Sequence, residues 1–161
     1  MGSNEFQQVL TEFILEHKEN VYRLAYSYVR NPQNALDIVQ ESIQKALAKG
    51  GSLQKPESIK SWFYRIVVNT ALDFLRRGNK VKWVDEEILE SHGYLDQAPD
   101  RYLDLEHAMA ELPVIYREVI VLRFFEEWKI EEIATILELP VSTVKSRLYH
   151  ALKLLRINLE E

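Results

Sequence analysis

The sequence predicts an all-α protein made of two small helical domains joined by an acidic linker. Two observations lead there. Apolar residues recur at steps of three and four in every block outside the middle of the chain, the period of a helix with one buried face. Between about Lys80 and Asp100 that period is lost while acids, Gly93 and Pro99 accumulate, which marks a tether. The expected domains are residues 1–80 and 103–161, with the linker over 81–102. At 161 residues and 47% hydrophobic composition, the chain can bury one ordinary core or two small ones.

The first helix is carried by Phe6, Val9, Leu10, Phe13 and Ile14, then by Val21, Leu24, Ala25 and Tyr28. Asn31 and Pro32 end it and open the next, with Asn31 as cap and Pro32 at the first helical position. The second stripe is Leu36, Val39, Ile43 and Leu47, closed by Gly50 and Gly51. Pro56 and Glu57 open a third helix, both favourable in a first turn. Its apolar face is Ile59, Trp62, Phe63, Ile66, Val67, Ala71, Phe74 and Leu75, and Gly78 follows as a stop. Beyond the linker, Leu103, Leu105, Ala108, Met109 and Leu112 begin a second cluster. Pro113 restarts it, and Ile115, Val119, Leu122 and Phe125 continue.

The last two helices form the most informative stretch. Ile130, Ile133, Ala134 and Leu137 share one face, and Glu138-Leu139-Pro140 then breaks the pattern. A new helix can begin near Val141, with Ser142 or Thr143 capping its free donors. Its expected buried stripe is Val144, Leu148, Ala151, Leu152 and Leu155, leaving Ser142, Lys145, Ser146, Tyr149, His150 and Lys153 outward. Between Val141 and Arg156 stand four cations, Lys145, Arg147, Lys153 and Arg156, and no acid. Cations for phosphate and guanine, with small hydroxyls for close approach, are what a helix needs to read a major groove. The plain alternative is a helical hairpin with a solvated basic face.

Two further constellations stand out. Ser58 to Arg77 sets aromatics beside cations, with Ser61, Arg65, Asn69 and Arg76 near one line. Amide, guanidinium and aromatic groups together suit unstacked single-stranded bases as well as duplex. Trp62 and Phe63 read more simply as core, while Tyr64, Arg65 and Asn69 fit function and solvated surface alike. The other constellation is Asp37, Gln40, Glu41 and Gln44, a polar strip read as lying opposite Leu36, Val39 and Ile43.

The net charge of −5 argues against nucleic-acid binding only until it is divided by position. From Trp83 to Glu111 nine acids face Arg101 alone, so that segment carries −8 and the remainder +3. From Lys60 to Lys82 six cations face Asp73 alone. Cysteine is absent, which removes disulfides and thiolate metal sites. His17, His92, His107 and His150 are scattered without metal-ligand spacing, and no glycine-rich phosphate loop occurs. The expectation is a non-enzyme that needs no cofactor and no metal. The first ten residues lack the basic and apolar blocks of a secretory signal. No apolar run nears the roughly 20 residues that span a bilayer. A cytoplasmic location without membrane insertion is therefore expected.

Taken in order, the three constellations resemble the bacterial sigma factors of RNA polymerase, specifically the small extracytoplasmic-function (ECF) class. DIVQESIQKAL is similar to region 2.2 of that family, with its aspartate and Val-Gln-Glu triplet. SIKSWFYRIVVNTALDFLRR is similar to regions 2.3 and 2.4, and the stretch from Leu112 to Arg156, with Thr-Val-Lys-Ser-Arg, to region 4. The resemblance implies that Asp37, Gln40, Glu41 and Gln44 dock on core RNA polymerase. It implies that Ser61, Tyr64, Arg65, Asn69 and Arg76 serve the melted −10 promoter element, with the loop Gly51 to Lys55 receiving a flipped base. Ser142, Thr143, Lys145, Ser146, Arg147, Tyr149, His150 and Lys153 would serve the −35 element. His150 stands where many members carry arginine, and a neutral imidazole lacks arginine's two-pronged donor set. The class also implies an anti-sigma factor, often membrane-anchored, that holds the sigma factor inactive until a cell-envelope signal releases it.

Two rivals remain at this level. A helix-turn-helix regulator of the response-regulator type needs an α/β receiver, whereas the first 80 residues show only helical periodicity. A helical protein-binding adaptor uses no DNA, and salt-dependent promoter binding in the presence of polymerase separates it from the favoured reading.

Overall fold

A computed structural model describes residues 2–78 and 101–160. Helices α1 (Ser3–Val29), α2 (Pro32–Ala48) and α3 (Ile59–Gly78) precede the undescribed segment. Helices α4 (Arg101–Glu111), α5 (Val114–Ile120), α6 (Ile130–Leu137) and α7 (Val141–Glu160) follow it. No strand occurs among the described residues. They form two compact units, one built on α1 to α3, the other on α4, α5, α7 and most of α6. Residues 79–100, which hold most of the expected linker and the cations Lys80 and Lys82, lie outside the described residues.

In the first unit α1, α2 and α3 pack against one another pairwise. The core takes Leu24 and Ala25 from α1, Ile38 from α2, and Phe63, Val67 and Ala71 from α3, all fully buried. Phe13 meets Phe63 edge-on with ring centroids 5.6 Å apart. The expected punctuation between α1 and α2 is present. The Asn31 side chain accepts from the Asn34 amide at 2.9 Å, and Pro32 occupies the first turn. Arg30 closes α1 in a left-handed conformation (φ 53°), with its guanidinium 5.3 Å from the centre of the Tyr26 ring. Between α2 and α3 the chain makes two 3-10 turns, Gly50–Ser52 and Pro56–Ser58. A Cβ on Gly50 would meet Phe6 Cε2 at 2.6 Å, so only glycine lets the loop sit on that ring.

The face that α2 buries corrects the sequence expectation. Ala35, Ile38, Ser42 and Ala46 face the core, whereas Leu36 and Leu47 are 47% and 51% exposed. Val39 and Ile43 are half-buried. The stripe of larger side chains is thus rotated out by about one residue's turn. Small inward residues permit close approach of the neighbouring helices, and Ser42 satisfies its hydroxyl on the Ile38 carbonyl at 2.7 Å.

In the second unit α7 packs on α4 and α5. Ala108, Met109, Leu112, Val119, Leu122, Ile133, Val144, Leu148 and Ala151 are buried. Arg117 is buried among them, and its Nη1 donates to the carbonyls of Leu112 (2.9 Å), Ala110 (3.3 Å) and Met109 (3.5 Å). It thereby adds a charged donor to the carbonyls at the end of α4, where Met109 also accepts from the Leu112 amide at 3.2 Å. After α5 a single π-helical turn, Val121–Phe125, leaves Phe124 and Phe125 52% and 43% exposed. Phe125 was expected inside, and the wider turn carries it out of the helical register. Leu152 likewise lies at the edge of the α7 stripe and is 44% exposed. Before Pro140 the chain turns through Glu138 at φ 58°, and the Leu139 amide donates to the Ala134 carbonyl at 2.9 Å.

Candidate nucleic-acid interfaces

Two clefts open beside the N-terminal half of α3. One, of about 340 Å³, is lined by Ser52, Leu53, Gln54 and Lys55 from the loop and by Ser58, Ser61, Trp62 and Arg65. The other, of about 580 Å³, is lined by Lys45 from α2, by Lys49 just past its end, and by Arg65, Asn69 and Asp73 from α3, among others. Both volumes fall in the range of small-molecule sites. Ser52, Trp62 and Arg65 line both clefts.

The loop is held by local bonds. Leu53 is buried, Ser52 donates from its hydroxyl to the Lys49 carbonyl at 2.8 Å, and Trp62 Nε1 donates to Ser52 Oγ at 2.9 Å. Phe6 packs edge-on against Trp62 at 5.8 Å. Trp62 is therefore half-buried, one side braced and the other on the cleft, and not the plain core residue that its spacing suggested. Phe63 is core, as expected.

The α3 line is brought together only in part. Asn69 and Arg76 are exposed, and Ser61 and Arg65 are half-buried. Tyr64 is fully buried, which corrects its assignment as a residue that meets DNA. It sits one residue round the helix from Arg65, on the core side. Asp73 stands on the same exposed side and accepts from Arg76 at 3.1 Å. Lys45 and Lys49, at and just past the end of α2 and absent from the sequence expectation, add two cations to the larger cleft.

On α2 the polar strip borders the exposed leucines instead of opposing them. Asp37, Gln40 and Gln44 are exposed, and Asp37 accepts from Gln33 at 3.2 Å. Glu41 is half-buried and reaches Lys45 and Arg77, each at 3.4 Å. Polar groups flanked by Leu36 and Leu47 make a mixed surface of the kind protein partners cover.

In the second unit α7 presents Ser142, Lys145, Ser146, Tyr149, His150 and Lys153 outward, with Thr143 and Arg147 half-buried at the margins. Tyr149 is 67% exposed. The His150 ring lies 5.6 Å from Tyr149 and 6.4 Å from the largely buried Tyr116 of α5, which limits its swing. The α6 entry is capped by Glu132, whose carboxylate accepts from the Lys129 amide at 2.8 Å. A helix-turn-helix with one-signed charge, and a second helical unit with an aromatic-basic cleft, define a DNA-binding protein of two modules.

Comparison with known proteins gives the same answer independently. The profile described as Sigma-70 region 2 matches residues 13–81, and that described as Sigma-70, region 4 matches residues 102–155. RNA polymerase sigma factor SigV of Bacillus subtilis is 52% identical over 153 residues, covering 94% of this chain and 91% of its own. The ECF RNA polymerase sigma-E factor of Escherichia coli is 31% identical, with 90% and 83% covered. Among solved structures, the sigma factor RpoE bound to the anti-sigma factor NepR from Bartonella quintana superposes with a TM-score of 0.74. It is 24% identical, with 94% of this chain and 96% of that one covered. CnrH in complex with the cytosolic domain of CnrY gives 0.71 at 22% identity, with 96% and 89% covered. At those identities the structural likeness speaks to the fold.

The chain belongs to the sigma-70 family, in its ECF class. It is a transcription-initiation factor that binds core RNA polymerase and promoter DNA and leaves catalysis to the polymerase. Among the described residues no helix is long and apolar enough to cross a membrane.

Proposed function

We propose that the chain divides its work by surface. The exposed face of α2 docks on core polymerase through Asp37, Gln40, Glu41 and Gln44, with Leu36 and Leu47 as apolar contacts beside them. Ser61, Arg65, Asn69 and Arg76 serve the melted −10 strand, and the cleft under the loop Gly51 to Lys55 takes a flipped base against Trp62. On α7, Ser142, Thr143, Lys145, Ser146, Arg147, Tyr149, His150 and Lys153 serve the −35 duplex. The working division is 1–80 for polymerase and −10 binding, 81–102 as acidic linker and 103–161 for the −35 element. The protein acts in the cytoplasm, under an anti-sigma factor that responds to the cell envelope. The ECF class and the structural neighbour solved with the anti-sigma factor NepR support that control.

The observation that carries this reading is the 340 Å³ cleft, where an aromatic, a guanidinium and three hydroxyl groups meet beside a basic groove. Run-off transcription with core polymerase on a randomised promoter library tests it. A selected pair of elements at fixed spacing is expected. Lys145→Ala should change the preferred upstream bases, and Lys153→Ala should lower output on all sequences alike. Absence of any selected pair overturns the reading. If Lys153 governs base preference and Lys145 does not, the proposed facing of α7 is wrong.

A further inference from the structure

One edge of α2 and α3 carries five charged side chains of alternating sign. Arg77 donates to Glu41 Oε1 at 3.4 Å, and Glu41 Oε2 lies 3.4 Å from Lys45 Nζ. Lys45 continues to Asp73 at 3.9 Å, and Asp73 to Arg76 at 3.1 Å. The five side chains keep between 31% and 61% of their surface in water, so the row adds little to folding. Its members belong to different surfaces. Glu41 sits on the docking face of α2, Lys45 lines the larger cleft beside Arg65 and Asn69, and Arg76 lies on the α3 line.

We propose that this row couples polymerase docking to DNA affinity. In the free protein Glu41 and Asp73 neutralise Lys45 and Arg77 at the edge of the groove. When a donor group of the polymerase engages the Glu41 carboxylate, the field at both cations becomes more positive, and they turn to phosphates of the melted strand. By linkage, bound DNA strengthens docking by the same factor. The inference rests on the surfaces assigned above and assigns the connection between them to these five side chains. It also gives Lys45 and Arg77, outside the α3 line itself, a role in holding the strand.

The test uses the full chain without polymerase and a labelled single-stranded oligothymidylate of about 20 nucleotides, longer than one such site. Affinity is measured by fluorescence polarisation across a salt series. Glu41→Gln should bind about two- to fivefold tighter at low salt, the size of an exposed ion pair's worth. Its salt slope should steepen by about 0.7 for each further phosphate that the freed cations neutralise. Glu19→Gln, the same charge change on α1 outside the row, should match wild type. Adding Lys45→Gln and Arg77→Gln to Glu41→Gln should abolish the gain. The coupling is overturned if Glu41→Gln matches wild type in affinity and slope, if Glu19→Gln gains equally, or if the triple variant keeps the gain. A pull-down of the wild type and of Asp37→Ala with Gln40→Ala on core polymerase separates the two readings. Undiminished capture of the double variant sinks the surface assignment, whereas diminished capture with an unresponsive Glu41→Gln sinks the coupling alone.

Discussion

At the scale of single residues, the most consequential side chain outside the DNA faces is Arg117. A buried guanidinium is costly unless its donors are met, and here Nη1 alone faces three carbonyls at the end of α4. Arg117→Ala removes those bonds and leaves the Met109 carbonyl with only its contact from the Leu112 amide. The second unit should lose about 2–3 kcal/mol, read as a lower urea midpoint for that unit. A midpoint equal to wild type would show that water replaces the guanidinium without penalty. Tyr64 teaches a different lesson. Its spacing allowed either surface or function, and only the packed α3 reveals that the ring is inside. The reverse holds for Trp62, where apolar bulk suggested core and the bond to Ser52 turns the indole into a cleft wall.

At the scale of elements, helix existence and order were legible because their signals are local. Periodic apolar residues, the Asn31–Pro32 cap and the Pro140 break each act within a turn or two. The facing of α2 was not legible, because it depends on how closely α1 and α3 approach. Ala35, Ser42 and Ala46 carry little hydrophobic signal, yet they sit inside, and Leu36 and Leu47 sit in water. The candidate site followed the same division. The outward face of α7 could be read from its charges, whereas Lys45 and Lys49 join the larger cleft beside α3 only through tertiary packing. Exposed leucines on a docking face should contribute to docking. Leu36→Ser with Leu47→Ser should weaken core-polymerase binding by on the order of 1–3 kcal/mol while leaving the thermal midpoint unchanged or higher. A titration with unchanged affinity would confine docking to the polar strip.

At the scale of the whole molecule, charge is partitioned by segment. The stretch from Trp83 to Glu111 carries −8 in a chain whose remainder is +3. Tethered acids raise the local negative potential that approaching DNA must meet, and screening at physiological salt acts only beyond about 8 Å. Changing Asp85, Glu86, Glu87 and Glu90 to their amides should raise polymerase-free promoter affinity, more at low salt than at high. A gel shift equal to wild type at low salt would reduce that segment to a spacer. With polymerase present the effect should shrink, since two readers held at fixed distance bind as one bivalent site.

The contact between Phe6 and Gly50 bears on where the first unit can be trimmed. The region 2 profile match begins at residue 13, so a fragment cut at that limit loses the first ten residues of α1, Phe6 among them. That ring covers Gly50 on one side and braces Trp62 on the other. A fragment starting at residue 13 retains every residue assigned to the promoter but loses the support beneath the loop. Even where Phe63 and Leu24 still pack, the loss of buried Phe6 and Leu10 should lower base affinity at the proposed cleft, which a binding titration of the fragment against the full chain checks. On the proposed assignment, the first turns of α1 support the binding cleft from behind.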